Sequence, residues 1–360
     1  MRAGRVTVMA GGTGGHVFPA LATAQELERR GWEVSWLGVP DSFESRLVPT
    51  YGFPLDLVPV RKIRGQGLGA WLLAPLHLAT ALAHAGRALR RRRPGVVLGM
   101  GGFVSGPGGL VSRLLGYPLV IHEQNAIPGL TNRWLAHLAT RVLEAFPGSF
   151  AATRSAVAVG NPVRREIVAV AAPEIRLAGR TGPARLLVVG GSLGAQVLNE
   201  TLPPALARLP QAARPLVRHQ AGRGKAEAAG QAYRAAGVSA TVSEFVDDMA
   251  EAYAWADLVV CRAGALTVSE LAAAGVPAIL VPYPHAVDDH QTRNAAYLAD
   301  AGAALLLPQP SLTPERLAEL LTTLVADRSR LLGMAQAARR LARPDAAQRV
   351  ADACEEASLP

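Results

Sequence analysis

Cysteine is almost missing from this chain of 360 residues: Cys261 and Cys354 are the only two, and they form no metal-type cluster. So few in a chain of this size suit a reducing cytosol. Lysine is equally scarce, with Lys62 and Lys225 alone among 37 basic residues; the arginine and alanine bias fits a GC-rich genome. Acidic residues number 28, leaving a net charge of +9 that favours anionic partners such as phosphate groups or acidic lipid. Aromatic residues reach only 5%, with neither an RNA-binding aromatic signature nor zinc-finger spacing, so nucleic acid is not an expected partner.

Long apolar runs are missing too. The longest, WLLAPLHLATALAHA (71–85), is broken by Pro75, His77 and His84. It falls short of the roughly 20 apolar residues that a bilayer span needs. The opening MRAGRVTVMAGG carries no apolar h-region followed by a small-residue cleavage site, so no signal peptide is expected. The nicotinamide fingerprint G-x-G-x-x-G fails as well: after Gly12 and Gly14 the last position is Val17, and EVSWLG lacks an acidic ribose ligand at its end. GGSLGAQ fails the same pattern, and no G-x-x-x-x-G-K-[ST] occurs. No Asp-x-Asp metal motif lies near the glycine loops, although DDH (288–290) could suggest metal ligands.

What the chain has is short β-rich runs that end in glycine. They are RVTVMAGG (5–12), EVSWLG (33–38), GVVLGMGG (95–102), PLVIHEQN (118–125) and the weaker AVAVGNP (156–162). A second series follows, ARLLVVGGS (184–192), LVRHQAG (216–222), ATVSEFV (240–246), DLVVCRAG (257–264) and PAILVPYP (277–284). Between them lie alanine- and leucine-rich segments of helical spacing. Strand, glycine turn, helix, strand is the signature of βαβ units, and continuous apolar strands suit a parallel sheet covered on both faces. The restart near Arg185 implies two α/β domains in tandem, 1–162 and 163–342. A closing helical segment, 343–360, is compatible with packing back on the N-terminal domain, although its pattern does not choose between the halves.

Ligands of open parallel sheets bind outside the carboxyl ends of the strands, where the glycine clusters GGTGGH, GGFVSGPGG and GGSLGAQ fall. Each can offer backbone N–H groups and a helix N-terminus to an anion. His16 closes the first cluster, where a near-neutral imidazole suits general-base work; the alternative is a cap for the helix.

A family resemblance enters on GGTGGHVFPALA, LGMGGFVSGPGG, HEQNAIPGLTNRWLA, EAFPGSF, GNPVRREI, VVGGSLGAQVLN, EFVDDMAEAYAWADLVVCRAGALTVSELAAAGVPAILVP and DDHQTRNA. In this order, from Arg5 to about Val350, they resemble the MurG family of bacterial peptidoglycan glycosyltransferases. The resemblance implies a GT-B fold, two Rossmann-like domains whose parallel sheets face a deep interdomain cleft. It implies metal-free, inverting transfer of N-acetylglucosamine from UDP-GlcNAc to the 4-hydroxyl of N-acetylmuramic acid in undecaprenyl-linked lipid I, giving lipid II. His16 and Glu123 become the competing general bases. The family's donor-site positions fall on Thr13, Gly14, Gly15, Asn125, Arg164, Ser192, Val246, Ala265, Leu266, Thr267, Val268, Ser269, Glu270 and Gln291. Among these, Glu270 matches the ribose ligand, Val246 the backbone that reads uracil and Gln291 the hexosamine contact. His290 departs from the glutamine of some relatives.

A lipid-linked acceptor brings the enzyme to the cytoplasmic face of the membrane as a peripheral protein. Leu72, Leu73, Leu76 and Leu82 would supply the apolar surface, and Arg87 with Arg90, Arg91, Arg92 and Arg93 the attraction to anionic lipid. By pattern alone the same segment reads as an ordinary amphipathic helix with core leucines and a solvated basic end. Other wall-synthesis enzymes are the protein partners that fit. A UDP-sugar 2-epimerase, which shares the two-domain plan, and a non-catalytic UDP-sugar binder that retains the glycine loops remain the alternatives.

Overall fold

The computed structural model describes residues 4–60, 68–191 and 194–359. The chain divides into two compact units, Met1–Arg164 with Arg343–Pro360, and Arg165–Ala342. The division falls after Arg164 rather than after residue 162, so the arginine of GNPVR belongs to the first unit.

The first unit holds seven parallel strands: β1 Arg5–Met9, β2 Glu33–Gly38, β3 Leu55–Leu57, β4 Val96–Gly99, β5 Leu119–Glu123, β6 Arg141–Glu144 and β7 Val157–Ala158. Their spatial order is β3-β2-β1-β4-β5-β6-β7. Alternation along each strand sends side chains to two separate cores. Val6, Val8, Val96, Leu98 and Val120 enter one cluster, whereas Met9, Val97, Leu119 and Ile121 enter the other. The first cluster is closed by Val17, Ala20, Leu21, Ala24 and Leu27 of the helix Gly14–Arg29, spaced for one helical face.

Val350, Ala351, Ala353, Cys354 and Ala357 of the closing helix Ala346–Ser358 fill the rest of that face. Full burial of Leu27 or Val350 contributes about 1.5–3 kcal/mol each. Arg30 pins the two helices together through Asp352 at 2.7 Å and Glu355 at 3.1 Å. Gly160 lets the returning chain pass, since a Cβ there would sit 2.4 Å from Cβ of Arg343.

The second unit repeats the plan with β8 Arg185–Val189, β9 Leu216–Gln220, β10 Thr241–Ser243, β11 Leu258–Cys261, β12 Ala278–Leu280 and β13 Ala304–Leu306, all parallel. Their order is β10-β9-β8-β11-β12-β13, which is the doubly wound arrangement of nucleotide-binding sheets. Three strands escape the sequence pattern, β3, β6 and β13. Each has only three or four residues.

Candidate active site

In each sheet the strand order reverses once, between β1 and β4 and between β8 and β11. Loops leaving neighbouring strands there diverge to opposite faces and open a crevice. In the first unit the two loops are Gly11–Thr13 and Gly101–Val104. Gly102, at φ +85°, passes so close that a Cβ would lie 2.3 Å from the Gly11 carbonyl oxygen; only glycine allows both. Ser105 Oγ ties them together, lying 2.8 Å from the Gly101 oxygen and 3.2 Å from the Met9 oxygen.

Beneath the first loop sits Glu44, a fully buried carboxylate. It accepts the N–H groups of Gly12 and Val39, each at 3.0 Å. The helix then starts at Gly14 and Gly15 with Thr13 as an extended N-cap that makes no side-chain cap bond.

His16 is half-buried one turn into this helix, with Nδ1 2.8 Å from Oε1 of Gln124. Gln124 follows β5, and its Nε2 lies 3.1 Å from Nδ1 of His122. His122 is buried, with Nε2 2.9 Å from the Gly160 oxygen; burial lowers its pKa to about 4. Glu123 is equally buried and receives four donors. Oε1 accepts the backbone and side-chain N–H groups of Asn125 at 2.9 and 3.1 Å, and Oε2 those of Gly129 at 3.1 Å and Asn132 at 3.0 Å. A carboxylate with about four lone-pair sites is thereby engaged by four donors, which favours His16 over Glu123 as the base. Arg164 lies with its guanidinium 4.9 Å from the ring centre of Phe18, two residues beyond His16.

In the second unit the turn after β8 carries Gly190 and Gly191, and Ser192 lies outside the described residues. Gln220, at the end of β9, holds this turn from both sides. Its Oε1 accepts the Gly191 N–H at 3.0 Å, and its Nε2 donates to the oxygens of Gly191 at 3.1 Å and Glu244 at 2.7 Å. One buried amide therefore places both the glycine turn and the segment leading to the half-buried Val246.

After β11 the chain turns at Gly264 into the helix Ala265–Ala274, which has no side-chain cap and no acidic residue in its first turn. Its first amides and the positive end of its dipole are available to an anion. Ala265 and Val268 are buried, while Leu266, Thr267 and Ser269 are half-buried; the Ser269 hydroxyl donates back to the Ala265 oxygen at 2.9 Å. Glu270 is buried, and its Oε2 accepts the Tyr253 hydroxyl at 3.0 Å. Gln291 Oε1 accepts the Tyr283 N–H at 2.9 Å, and buried Asn294 donates to the Ala263 oxygen at 3.2 Å, tying the helix His290–Ala299 to the Gly264 turn.

Glu44, His122, Gln124, Gln220 and Tyr253 went unnamed in the sequence. Gln124 had the clearest signal, standing between Glu123 and Asn125, but its direction depends on where β5 stops.

The helix Leu68–Arg92 carries the residues expected at the membrane. Side chains of Leu72 and Leu73 lie outside the described set; Leu76 is 62% exposed, whereas Leu82 packs on the core beside Ala81 and Ala85. Arg91 and Arg92 both pair with buried Asp56, Arg92 through Nε at 2.7 Å; Arg92 is half-buried, Arg91 stays exposed despite its pairing, and Arg87, Arg90 and Arg93 are exposed cations away from that carboxylate. Exposed Leu110 and Leu114 lie on the helix Ser105–Leu114, which packs against that helix and against the helix Leu130–Leu135, where Trp134 is 70% exposed.

Residues 6–144 match the glycosyltransferase family 28 N-terminal domain and residues 185–350 the glycosyltransferase family 28 C-terminal domain. Two doubly wound units with glycine turns at both reversal points thus define a glycosyltransferase of the GT-B fold. A Marinobacter nauticus protein named UDP-N-acetylglucosamine--N-acetylmuramyl-(pentapeptide) pyrophosphoryl-undecaprenol N-acetylglucosamine transferase is 61% identical over 98% of each chain. A protein of the same name from Aeromonas hydrophila is 58% identical over 97% of this chain and 95% of its own. The crystal structure of Acinetobacter baumannii MurG superposes with a TM-score of 0.85 at 44% identity, covering 98% of this chain and 99% of that one. The chain belongs to the MurG family of family 28 glycosyltransferases.

Proposed function

We propose that the chain transfers N-acetylglucosamine from UDP-GlcNAc, with inversion, to the 4-hydroxyl of N-acetylmuramic acid on an undecaprenyl diphosphate carrier, lipid I. The substrates are those in the names of its relatives. The observation that carries the reading is the uncapped, acid-free start of the helix Ala265–Ala274, with buried Glu270 held by Tyr253 one turn further on. A nucleoside diphosphate needs both features, amides for its phosphates and a carboxylate for its ribose hydroxyls.

In the reaction, His16 takes the acceptor hydroxyl proton at Nε2 as the oxygen attacks the anomeric carbon from the face opposite UDP. The carbon–oxygen bond to the diphosphate breaks, and its electron pair leaves with UDP. Amides at the Gly264 turn stabilise the charge that develops there, so no metal ion is required. Glu123 acts through Asn125, which it orients, and Val246 and Gln291 receive the uracil and the hexosamine, with Arg164 and Ser192 completing the donor contacts.

No described helix is long and apolar enough to cross a membrane. We place the contact with the lipid surface on Leu76, Leu110, Leu114 and Trp134, with Arg87, Arg90 and Arg93 facing anionic headgroups, on the cytoplasmic face. Purified enzyme in metal-free buffer with EDTA should release UDP only when a lipid I analogue is present. Release without acceptor would favour epimerase chemistry; binding without release would favour a non-catalytic binder; loss of turnover with EDTA would remove the metal-free mechanism. Liposome pelleting should weaken with salt and with Trp134→Ala, and pelleting unchanged in both would clear this face.

A further inference from the structure

We propose that Gln124 and His122 are positioning residues that hold His16 in one tautomer, protonated at Nδ1 and bare at Nε2; the catalytic value of this rests on His16 being the base. The contacts begin at a group with a single possible role. The Gly160 carbonyl can only accept, so the His122 nitrogen 2.9 Å away, Nε2, carries the hydrogen. The buried ring of His122 is neutral near pH 7, because burial lowers its pKa to about 4, and its Nδ1 therefore keeps a lone pair.

Gln124 Nε2 donates to that lone pair over 3.1 Å and also lies 3.3 Å from the His122 oxygen. The flipped amide would set its oxygen against two acceptors, so the orientation is forced. Gln124 then presents Oε1, which only accepts, to His16 Nδ1 at 2.8 Å. The hydrogen of a neutral His16 must be on Nδ1, and the lone pair on Nε2. Gly101 completes the seat, since a Cβ there would lie 2.8 Å from the same Nδ1.

A free imidazole exchanges between two neutral forms, and the partner of one nitrogen decides what the other can do. Here the selected form has its basic nitrogen on the side away from Gln124. When Nε2 gains a proton, the Nδ1–H bond to Gln124 persists, so nothing has to reorganise as charge develops on the ring. The neutral amide also fits a base that must release its proton afterwards, because a carboxylate in its place would favour the charged ring.

Protein labelled with 15N-histidine, read by long-range 1H–15N correlation with His16→Gln for assignment, reports the tautomer without any turnover. The expected result is a His16 protonated at Nδ1 in the unaltered protein, a shift toward the Nε2–H form in Gln124→Leu, and retention of Nδ1–H in Gln124→Glu. For Gln124→Leu, kcat should fall about 10- to 100-fold, with KM for the nucleotide sugar held within about twofold. A His16 that carries its hydrogen on Nε2 in the unaltered protein overturns the proposal, whether or not the variants fold. So does a Gln124→Leu protein whose His16 tautomer is unchanged. A tautomer that switches while kcat stays constant upholds the relay and removes His16 as the base.

Discussion

The two units share a strand order and differ in what holds their glycine turns. In the first, buried carboxylates do it: Glu44 takes the Gly12 amide, Glu123 those of Asn125 and Gly129, and Glu144 those of Gly148 and Phe150. In the second, neutral amides take that part at the reversal point, Gln220 on Gly191 and Asn294 on Ala263, while the exposed Glu244 carboxylate accepts the Gly224 N–H in the next turn; the helices from Gly14 and from Ala265 both start with no acid. A buried carboxylate brings negative charge to the loop it holds, whereas a neutral amide adds none to the positive end of the neighbouring helix. The same topology is thus held by charge in one unit and largely by neutral amides in the other, which suits the base proposed for the first and the anion site proposed for the second.

The sharpest break of this contrast is His16→Ala. It should lower kcat by about 10²- to 10⁴-fold while leaving UDP-GlcNAc affinity by calorimetry unchanged, and a matching loss of affinity would mean that the first unit binds rather than reacts. Glu270→Ala should do the opposite, weakening nucleotide-sugar binding by about 10- to 100-fold, the value of hydrogen bonds to a charged group. If its loss lay in kcat alone, Glu270 would not be the ribose ligand.

Gln220→Ala should raise KM by about 3- to 10-fold through loosening of two loops, and equal KM values would show that those loops hold without it. Glu44→Ala should cost the first unit about 1–3 kcal/mol, since two part-buried N–H groups lose their acceptor. Urea denaturation would read this, and an unchanged midpoint would place another acceptor there.

A last effect, read only on acidification, treats the units alike, because each holds one buried histidine, His122 and His219, whose pKa is lowered by burial to about 4. The unfolded chain binds these protons near the ordinary value of about 6.5, so the contribution is complete above that pH and is lost as pH falls toward 4. The loss is about 1.4 kcal/mol per pH unit for each histidine. His219→Leu should flatten the slope of stability between pH 6.5 and 4 in the second unit, and an unaltered slope would show that His219 is not held neutral.

The tandem α/β plan and the glycine turns were legible because both signals are local. A buried parallel strand reads as an apolar run, and a glycine at φ +85°, as at Gly102, marks a backbone that other residues avoid. The short strands β3, β6 and β13 went unread. The family resemblance likewise proposed roles for Asn125, Glu270 and Gln291, and the glycine loop one for His16, while the residues that hydrogen-bond to His16 and Glu270 stayed silent. Gln124 lies 108 positions from His16, and Gly160 lies 38 from His122.

By itself, the order of residues determined how many sheets form, that they are parallel, and where each turn leaves its sheet, since φ/ψ preference and apolar periodicity act over a few neighbours. Only the tertiary structure decided which nitrogen of His16 is bare, that Glu123 is saturated with donors, that Asp56 claims Arg91 and Arg92, and that the last helix closes the first unit. Each of those outcomes depends on strand register and side-chain direction across distant segments. Hydrogen bonds are directional over less than 3.5 Å, so a property set by one of them exists only once the chain has brought its two ends together.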